Sequence, residues 1–101
     1  MENMELFCFN IISQAGSAKT SYLNGLRAYK MKQFDSAKVM LKEGDAFLRE
    51  AHKTHMGIIS HEASGNKTEF SLLLIHAEDQ INTAEIIKIL VDELIQLHPK
   101  S

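Results

Sequence analysis

His76, Asp79 and Gln80 follow an apolar run of four residues in the stretch SLLLIHAEDQ, residues 71–80. In a helix of about 100° per residue, the positions three and four residues after His76 lie on either side of it, so Asp79 and Gln80 flank the imidazole. Burying such groups without partners would cost roughly 1 to 3 kcal/mol each. The pattern therefore favours a role in chemistry or in assembly over an accident of packing.

His76 is the candidate nucleophile of this stretch. Histidine titrates near neutrality, and its neutral ring can accept a phosphoryl group while the second ring nitrogen keeps its proton. Phosphoryl transfer needs in-line positioning and donors for the phosphoryl oxygens, and Gln80 is expected to contact the phosphoryl group or to orient the ring. The alternative is a satisfied core residue, which is the commoner state of a lone histidine on an apolar helix.

Asp79 is the candidate metal ligand. A carboxylate on an apolar seam must be paired, protonated or bound to a metal. If three copies of the chain meet at a central axis, their Asp79 side chains bring oxygens to a single point, where Mg²⁺ would relieve the repulsion. The equally weighted alternative is an Asp79 that is hydrogen-bonded to Gln80 or Asn82 at a hydrated interface.

The other histidines and the single cysteine are expected to be structural. His52 and His55 lie one turn apart but lack the spacing and the intervening glutamate of HExxH zinc sites, so His55 should pack in a helix seam with His52 at its edge. His61 and His98 fall near helix ends, where a protonated imidazole suits the helix dipole. Cys8 lies in an apolar stripe without a basic neighbour and is expected to be a small core residue.

Length and composition bound the class of protein. The 101 residues, of which 45% are hydrophobic, suit one domain over residues 1–101 with one modest core. The net charge of -2 and the lack of a basic patch with interleaved aromatics exclude nucleic acid as an expected partner. No apolar run is longer than the four residues 72–75, far short of the roughly 20 residues that span a bilayer. Because the N-terminus also lacks signal-peptide features and the only cysteine agrees with a reducing compartment, a cytoplasmic location is predicted.

The spacing of apolar residues predicts two helices in the first two thirds of the chain. The first runs from Glu2 to about Lys30 and carries two stripes at helical intervals, one of Leu6, Phe9, Gly16, Leu23 and Leu26 and one of Cys8, Ile12, Ala15, Tyr22 and Tyr29. Its small residues Ala15, Gly16 and Ala18 should let a neighbouring helix approach closely. The second helix has a single seam from Phe34 to Glu62, and a polar stop at residues 63–67 offers Gly65 as a left-handed cap.

A third helix is predicted from residues 68–71, where a Thr or Ser can cap it, to about Leu97 before Pro99. Its apolar residues lie nearly all the way round, in three seams: Leu73, His76, Gln80, Thr83, Ile87, Leu90, Leu94 and Leu97; Leu72, Ile75, Asp79, Asn82, Ile86 and Ile89; and Leu74, Ala77, Ile81, Ala84, Val91 and Ile95. Two short connections imply an all-α, antiparallel up-down-up three-helix bundle. Such a bundle covers only part of this helix, so a subunit interface is predicted with Asp79 on the contacting face.

Three stretches carry a resemblance to a known family: SLLLIHAEDQINTAEI, FNIISQAGSAKTSYLNGL and GDAFLREAHKTH. Together they resemble the enzyme IIA component of the lactose/cellobiose class of the bacterial phosphoenolpyruvate-dependent sugar phosphotransferase system. The resemblance implies a cytoplasmic phosphoryl carrier that accepts phosphate from the phosphohistidine of HPr and passes it to the cysteine of its cognate IIB component. It implies uptake of a β-linked disaccharide such as lactose, cellobiose or diacetylchitobiose, with the membrane IIC component contacted only indirectly.

The resemblance also assigns roles to residues. His76 matches the phosphorylated histidine of the family, and Gln80 matches a neighbouring position. Asp79 matches the aspartate that gathers around one structural Mg²⁺ on the axis of the family's homotrimer, a nine-helix bundle. The alternative is a non-catalytic three-helix protein-interaction module, because AYKMKQFDSAKVMLKEGDAF loosely resembles the helix pairs of repeat or trafficking adaptors. That alternative leaves His76, Asp79 and Gln80 without a role.

Overall fold

The computed structural model describes residues 3–98, which form three α-helices: α1 (Met4–Lys30), α2 (Phe34–Ala63) and α3 (Leu72–Leu97). Successive helices run antiparallel in a bundle of 55 × 21 × 18 Å, which confirms the predicted all-α, up-down-up fold. Within residues 3–98, no helix is both long and apolar enough to cross a membrane. The predicted start at Glu2 and the predicted stop at Pro99 lie outside the described residues.

Local signals set the helix boundaries. Between α1 and α2 the chain turns within three residues, and Lys32 takes a left-handed conformation with a φ of 63°. After α2, Gly65 has a φ of 98° and its N–H donates to the Glu62 carbonyl, as predicted for a left-handed cap. Ser71 caps α3, because its Oγ accepts a 3.1 Å hydrogen bond from the Leu74 N–H. The predicted third-helix cap is thus confirmed at Ser71.

The core lies along α1, which packs against both other helices, whereas α2 and α3 contact each other much less. The buried residues form two clusters, one of Cys8, Ile11, Ala51, Ile58, Leu74, Ala77 and Ile81 and one of Ala15, Ala18, Tyr22, Leu48, Ala84 and Val91. Five of these thirteen residues are alanine, so the helix backbones approach closely. The predicted core position of Cys8 is confirmed.

The stripe of α1 that faces the core is the second of the two predicted. Leu6, Phe9 and Leu23 of the first stripe are exposed. The prediction that Gly16 admits a neighbouring helix is wrong, because nothing lies within 4 Å of a Cβ built there. A helix packed in a three-helix bundle turns one stripe inward, and in α1 this is the stripe whose small residues allow the closest contact.

Close approach instead depends on Gly44 of α2. A Cβ on Gly44 would lie 2.7 Å from the ring of Tyr22, the largest fully buried side chain among the described residues. Gly25 of α1 stands in a similar position, with its Cβ site 2.7 Å from the Leu41 side chain. Gly44 lies within the predicted seam of the second helix, whereas Gly25 belongs to neither predicted stripe of the first.

α3 leaves much of its apolar surface uncovered. Its seam of Leu74, Ala77, Ile81, Ala84 and Val91 is buried against the bundle. The seam of Leu72, Ile75, Asp79, Asn82, Ile86 and Ile89, called here the Asp79 face, is exposed in the single chain along its whole length. Its residues alternate steps of three and four, the pattern of a helix seam that packs against another helix. The single chain therefore presents a ready helix-packing face with a carboxylate in its middle.

Candidate functional site

His76 lies in the second turn of α3 and is exposed. Its neighbour Ala77 is fully buried in the core, which fixes the rotation of α3 so that the imidazole points away from the bundle. The alternative of a core histidine is therefore wrong for this chain. An exposed imidazole on a rigid helix can meet a reactive group carried by another protein.

Gln80 lies one helical turn after His76 and is half-buried between α3 and α1. Its side-chain oxygen Oε1 accepts a hydrogen bond from the Nζ of Lys19 on α1. The structure thus places a cation, Lys19, against the residue that lies one turn after His76 on α3. Lys19 was not among the predicted site residues; it follows the fully buried Ala18 in the sequence and is itself half-buried at the edge of the core.

Asp79 is exposed on the Asp79 face, and within residues 3–98 its carboxylate makes no hydrogen bond or ion pair; only its main-chain carbonyl is engaged, by Thr83 Oγ1 at 2.8 Å. The alternative required a hydrogen bond from Asp79 to Gln80 or Asn82 at a hydrated interface. In the single chain the Asp79 carboxylate makes no such bond. No group of three or more metal-ligating side chains forms among the described residues of one chain. A metal held by Asp79 would accordingly need ligands from other copies.

His52 and His55 each face a carboxylate of α3. His55 Nε2 lies 2.8 Å from Glu78 Oε2, and His52 Nε2 pairs with Glu85. The side chain of His55 is mostly buried and that of His52 is more exposed, as their predicted seam and edge positions require. These pairs bridge α2 and α3 separately, so the structure does not bring the two imidazoles together at a metal site.

The chain resembles known proteins in both sequence and fold. Residues 6–99 match the family model described as "PTS system, Lactose/Cellobiose specific IIA subunit". The chain belongs to this family. Proteins of this family take part in the phosphoryl transfer of the phosphotransferase system, so the predicted family and enzyme class of this IIA subunit are confirmed.

Individual relatives match the IIA subunit over nearly its whole length. The "PTS system lactose-specific EIIA component" of Staphylococcus epidermidis is 31% identical over 99 residues, which cover 98% of this chain and 95% of the relative. The "PTS system oligo-beta-mannoside-specific EIIA component" of Bacillus subtilis is 37% identical over 93 residues, covering 92% and 84%. The crystal structure of the PTS cellobiose-specific enzyme IIA from Bacillus anthracis superposes with a TM-score of 0.90 at 33% identity, covering 96% and 89% of the two chains.

A partly buried polar network joins all three helices of the IIA subunit away from His76. The Tyr22 hydroxyl donates a 2.7 Å hydrogen bond to Asp45 Oδ1, and Lys88 Nζ lies 3.1 Å from the same oxygen. Burial raises the pKa of Tyr22, and the bond to Asp45 raises it further. Burial also raises the pKa of Asp45, but the hydrogen bonds from Tyr22 and Lys88 outweigh this effect and hold the pKa below its usual value. The network thus links the partly exposed Asp45 carboxylate of α2 to side chains of α1 and α3.

Cys8 of the IIA subunit is unsuited to nucleophilic chemistry. It is fully buried, and burial, reinforced by the charges of Glu78 and Glu5, raises the pKa of its thiol. A thiol with a raised pKa forms little of the reactive thiolate. His76 therefore stands as the candidate nucleophile.

Proposed function

We propose that this IIA subunit carries a phosphoryl group on His76, which it accepts from the phosphohistidine of HPr and passes to the cysteine of its cognate IIB component. The observation that supports this most strongly is an exposed imidazole on α3, beside the Gln80 amide, in a chain of the lactose/cellobiose IIA family. Since donor and acceptor are both proteins, the nucleophile must stand at the surface of a rigid element. The proposal places the chain in the cytoplasm, where these partners act.

Each transfer exchanges one bond to phosphorus for another. The lone pair of the neutral His76 ring attacks phosphorus while the bond from phosphorus to the imidazole nitrogen of HPr breaks, and that electron pair returns to the HPr ring. In the second transfer the IIB thiolate attacks phosphorus and the His76 ring leaves as neutral imidazole. The second nitrogen of His76 keeps its proton throughout, so the ring needs no proton donor to return to its starting state.

The occupant proposed for the Asp79 face is the same face of two further copies, which gives a homotrimer of nine helices. Leu72, Ile75, Ile86 and Ile89 are all more than half exposed in the single chain. Their burial against each other would supply the apolar area that a stable interface needs. The spacing of this face is that of a coiled-coil seam, which suits parallel packing of α3 helices around an axis.

We propose further that one Mg²⁺ per trimer is held by the Asp79 carboxylates of the three copies. Asp79 has no partner of its own among residues 3–98 and lies on a face that is mostly apolar, so an assembly that covers this face needs a counter-charge there. Carboxylate oxygens are the ligands that Mg²⁺ prefers. The ion would neutralise the carboxylates and would take no part in the transfer on His76.

The sugar class supported by the comparisons is the β-linked disaccharides and short oligosaccharides. The Staphylococcus epidermidis relative is named for lactose and the Bacillus subtilis relative for oligo-β-mannosides, at similar identity to this chain. Lactose, cellobiose and diacetylchitobiose all fall in this class. Selection among them is proposed to reside in the membrane component, which binds the sugar itself.

The proposal is tested by incubating the chain with phosphoenolpyruvate, enzyme I and HPr, and then adding IIB. Wild type should gain acid-labile phosphate and lose it to the IIB cysteine, whereas His76→Ala should gain none. His98→Ala, at the other end of α3, is the matched control and should behave as wild type. Equal labelling of His76→Ala, or no labelling of wild type, would reject the assignment.

A further inference from the structure

We infer that Lys19 is a positioning residue for phosphoryl transfer, acting on the phosphoryl group of His76 through Gln80. The inference rests on the proposed function and deepens it. Its starting point is the hydrogen bond from Lys19 Nζ on α1 to Gln80 Oε1 on α3. Nothing in the spacing along either helix predicts this contact, which exists only because α1 and α3 run parallel at a particular register.

The ammonium group decides which way the Gln80 amide points. An ammonium is a donor only, so the amide oxygen must face Lys19 and the amide nitrogen must face away from it. Within residues 3–98 the Gln80 side chain makes no other hydrogen bond, so its two N–H groups remain available as donors. Gln80 lies one turn from His76 on the same side of α3, where side chains four residues apart are neighbours. The amide is thereby held as a donor for a phosphoryl oxygen on the His76 ring.

The backbone offers the phosphoryl group little help. His76 lies beyond the first turn of α3, and at that end the Leu74 N–H is taken by Ser71 Oγ and the Ile75 N–H by the Ser71 carbonyl. Side chains must therefore supply the donors. The helix-end field that commonly stabilises bound phosphate is also weak at this distance.

Two negative charges lie near His76, so a nearby cation would stabilise a phosphoryl group on its ring. Asp79 and Glu78 lie on the same helix within three residues, and both would repel a phosphoryl group. Glu78 is paired with His55, whereas Asp79 has no partner in the single chain. Lys19 opposes this repulsion from the α1 side. Lys19 is half-buried and directly follows the fully buried Ala18. Its side chain is therefore already restricted, and little conformational entropy is lost when the ammonium binds Gln80.

The experiment compares Lys19→Met, Lys19→Arg and the control Lys30→Met, which removes the same charge from α1 about 16 Å further along the helix. The readout is the equilibrium constant for phosphoryl exchange between phospho-HPr and the chain, which does not depend on how fast HPr docks. Lys19→Met should lower the constant about ten-fold, because the Gln80 amide would no longer be held to donate to the phosphoryl group. A hydrogen bond to a charged group contributes about 1.5 kcal/mol or more. Lys19→Arg should stay within about two-fold of wild type, and Lys30→Met should match wild type.

A double-mutant cycle tests whether Lys19 acts through Gln80. In a Gln80→Leu background, Lys19→Met should lose most of its effect, since the amide that it positions is gone. If Lys19→Met fails to fold, as judged by circular dichroism, Gln80→Leu alone must still lower the constant several-fold. Equal constants for Lys19→Met and wild type, or equal losses in Lys19→Met and Lys30→Met, would overturn the inference while leaving His76 as the carrier. Failure of wild type to be phosphorylated at all would instead overturn the proposed function.

Discussion

Replacing Ile86 by aspartate should dissociate the proposed trimer without unfolding the chain. Ile86 lies on the Asp79 face, and 57% of it is exposed in the single chain. Complete burial of an isoleucine stabilises by about 1.5 to 3 kcal/mol, so covering the exposed part of Ile86 contributes about 1 to 2 kcal/mol per subunit. An unpaired carboxylate placed in the covered interface costs roughly 2 kcal/mol or more in addition.

The penalty falls on all three subunits at once. Three such losses amount to roughly 10 kcal/mol per trimer, which corresponds to about seven orders of magnitude in the dissociation constant. The folded single chain loses little, because Ile86 is mostly exposed there and isoleucine and aspartate differ by only a few tenths of a kcal/mol in helix propensity. Ile86→Asp should therefore be a folded monomer.

Sedimentation equilibrium gives the mass of each species, and circular dichroism checks that the helices persist. Val39→Asp is the matched control, because Val39 is 56% exposed on α2, away from the Asp79 face. Wild type and Val39→Asp should sediment as trimers and Ile86→Asp as a monomer. A monomeric wild type, or an Ile86→Asp protein that keeps the trimer mass, would refute the proposed use of the Asp79 face.

Three further predictions concern the metal, the polar network around Asp45 and the core glycine. Asp79→Leu should abolish bound Mg²⁺, measured by elemental analysis, while sedimentation still shows a trimer, because the apolar side chain removes the repulsion that the ion relieves; loss of the trimer would contradict this. The free energy of unfolding should fall as the pH drops below about 4, because the pKa of Asp45 is lower in the folded chain than in the unfolded one. Its contribution to stability is fully present above the unfolded pKa and is lost as the pH falls through the folded pKa. Urea titrations across this range should show a shallower fall in Asp45→Asn than in wild type, and an equal fall would argue against the network. Gly44→Ala should destabilise the folded chain by about 1 to 2 kcal/mol, because the added Cβ overlaps the Tyr22 ring. Gly16→Ala has open space at its Cβ and should stabilise the folded chain by about 0.5 to 1 kcal/mol. If urea unfolding shows both variants shifted in the same direction, the described packing is contradicted.

Local signals made the fold predictable from the sequence. The helical spacing, the Ser71 cap and the left-handed Gly65 each depend on residues a few positions apart, and the structure has all three as expected. Which stripe of α1 faces the core was not predictable in this way, because both stripes are apolar. The choice depends on how closely α2 and α3 can approach, and that is a property of the assembled bundle.

The same distinction applies to the candidate site: features set within one helix were predictable, and features set by contacts between helices were not. His76 and Gln80 could be found because their types and spacing are readable on one helix. The partners Lys19 for Gln80 and Glu78 for His55 could not, since they depend on the axial register between helices, which no single-helix pattern contains. The same register gives the site its cation.

The most direct test of the account is to locate the phosphate in the protein. After incubation with phosphoenolpyruvate, enzyme I and HPr, the chain is digested at alkaline pH, which preserves phosphohistidine, and the peptides are read by mass spectrometry. The chain has five histidines, so the four others serve as internal controls in the same sample. Phosphate is expected on the His76 peptide alone, and phosphate on another histidine in place of His76 would contradict the proposed role of His76.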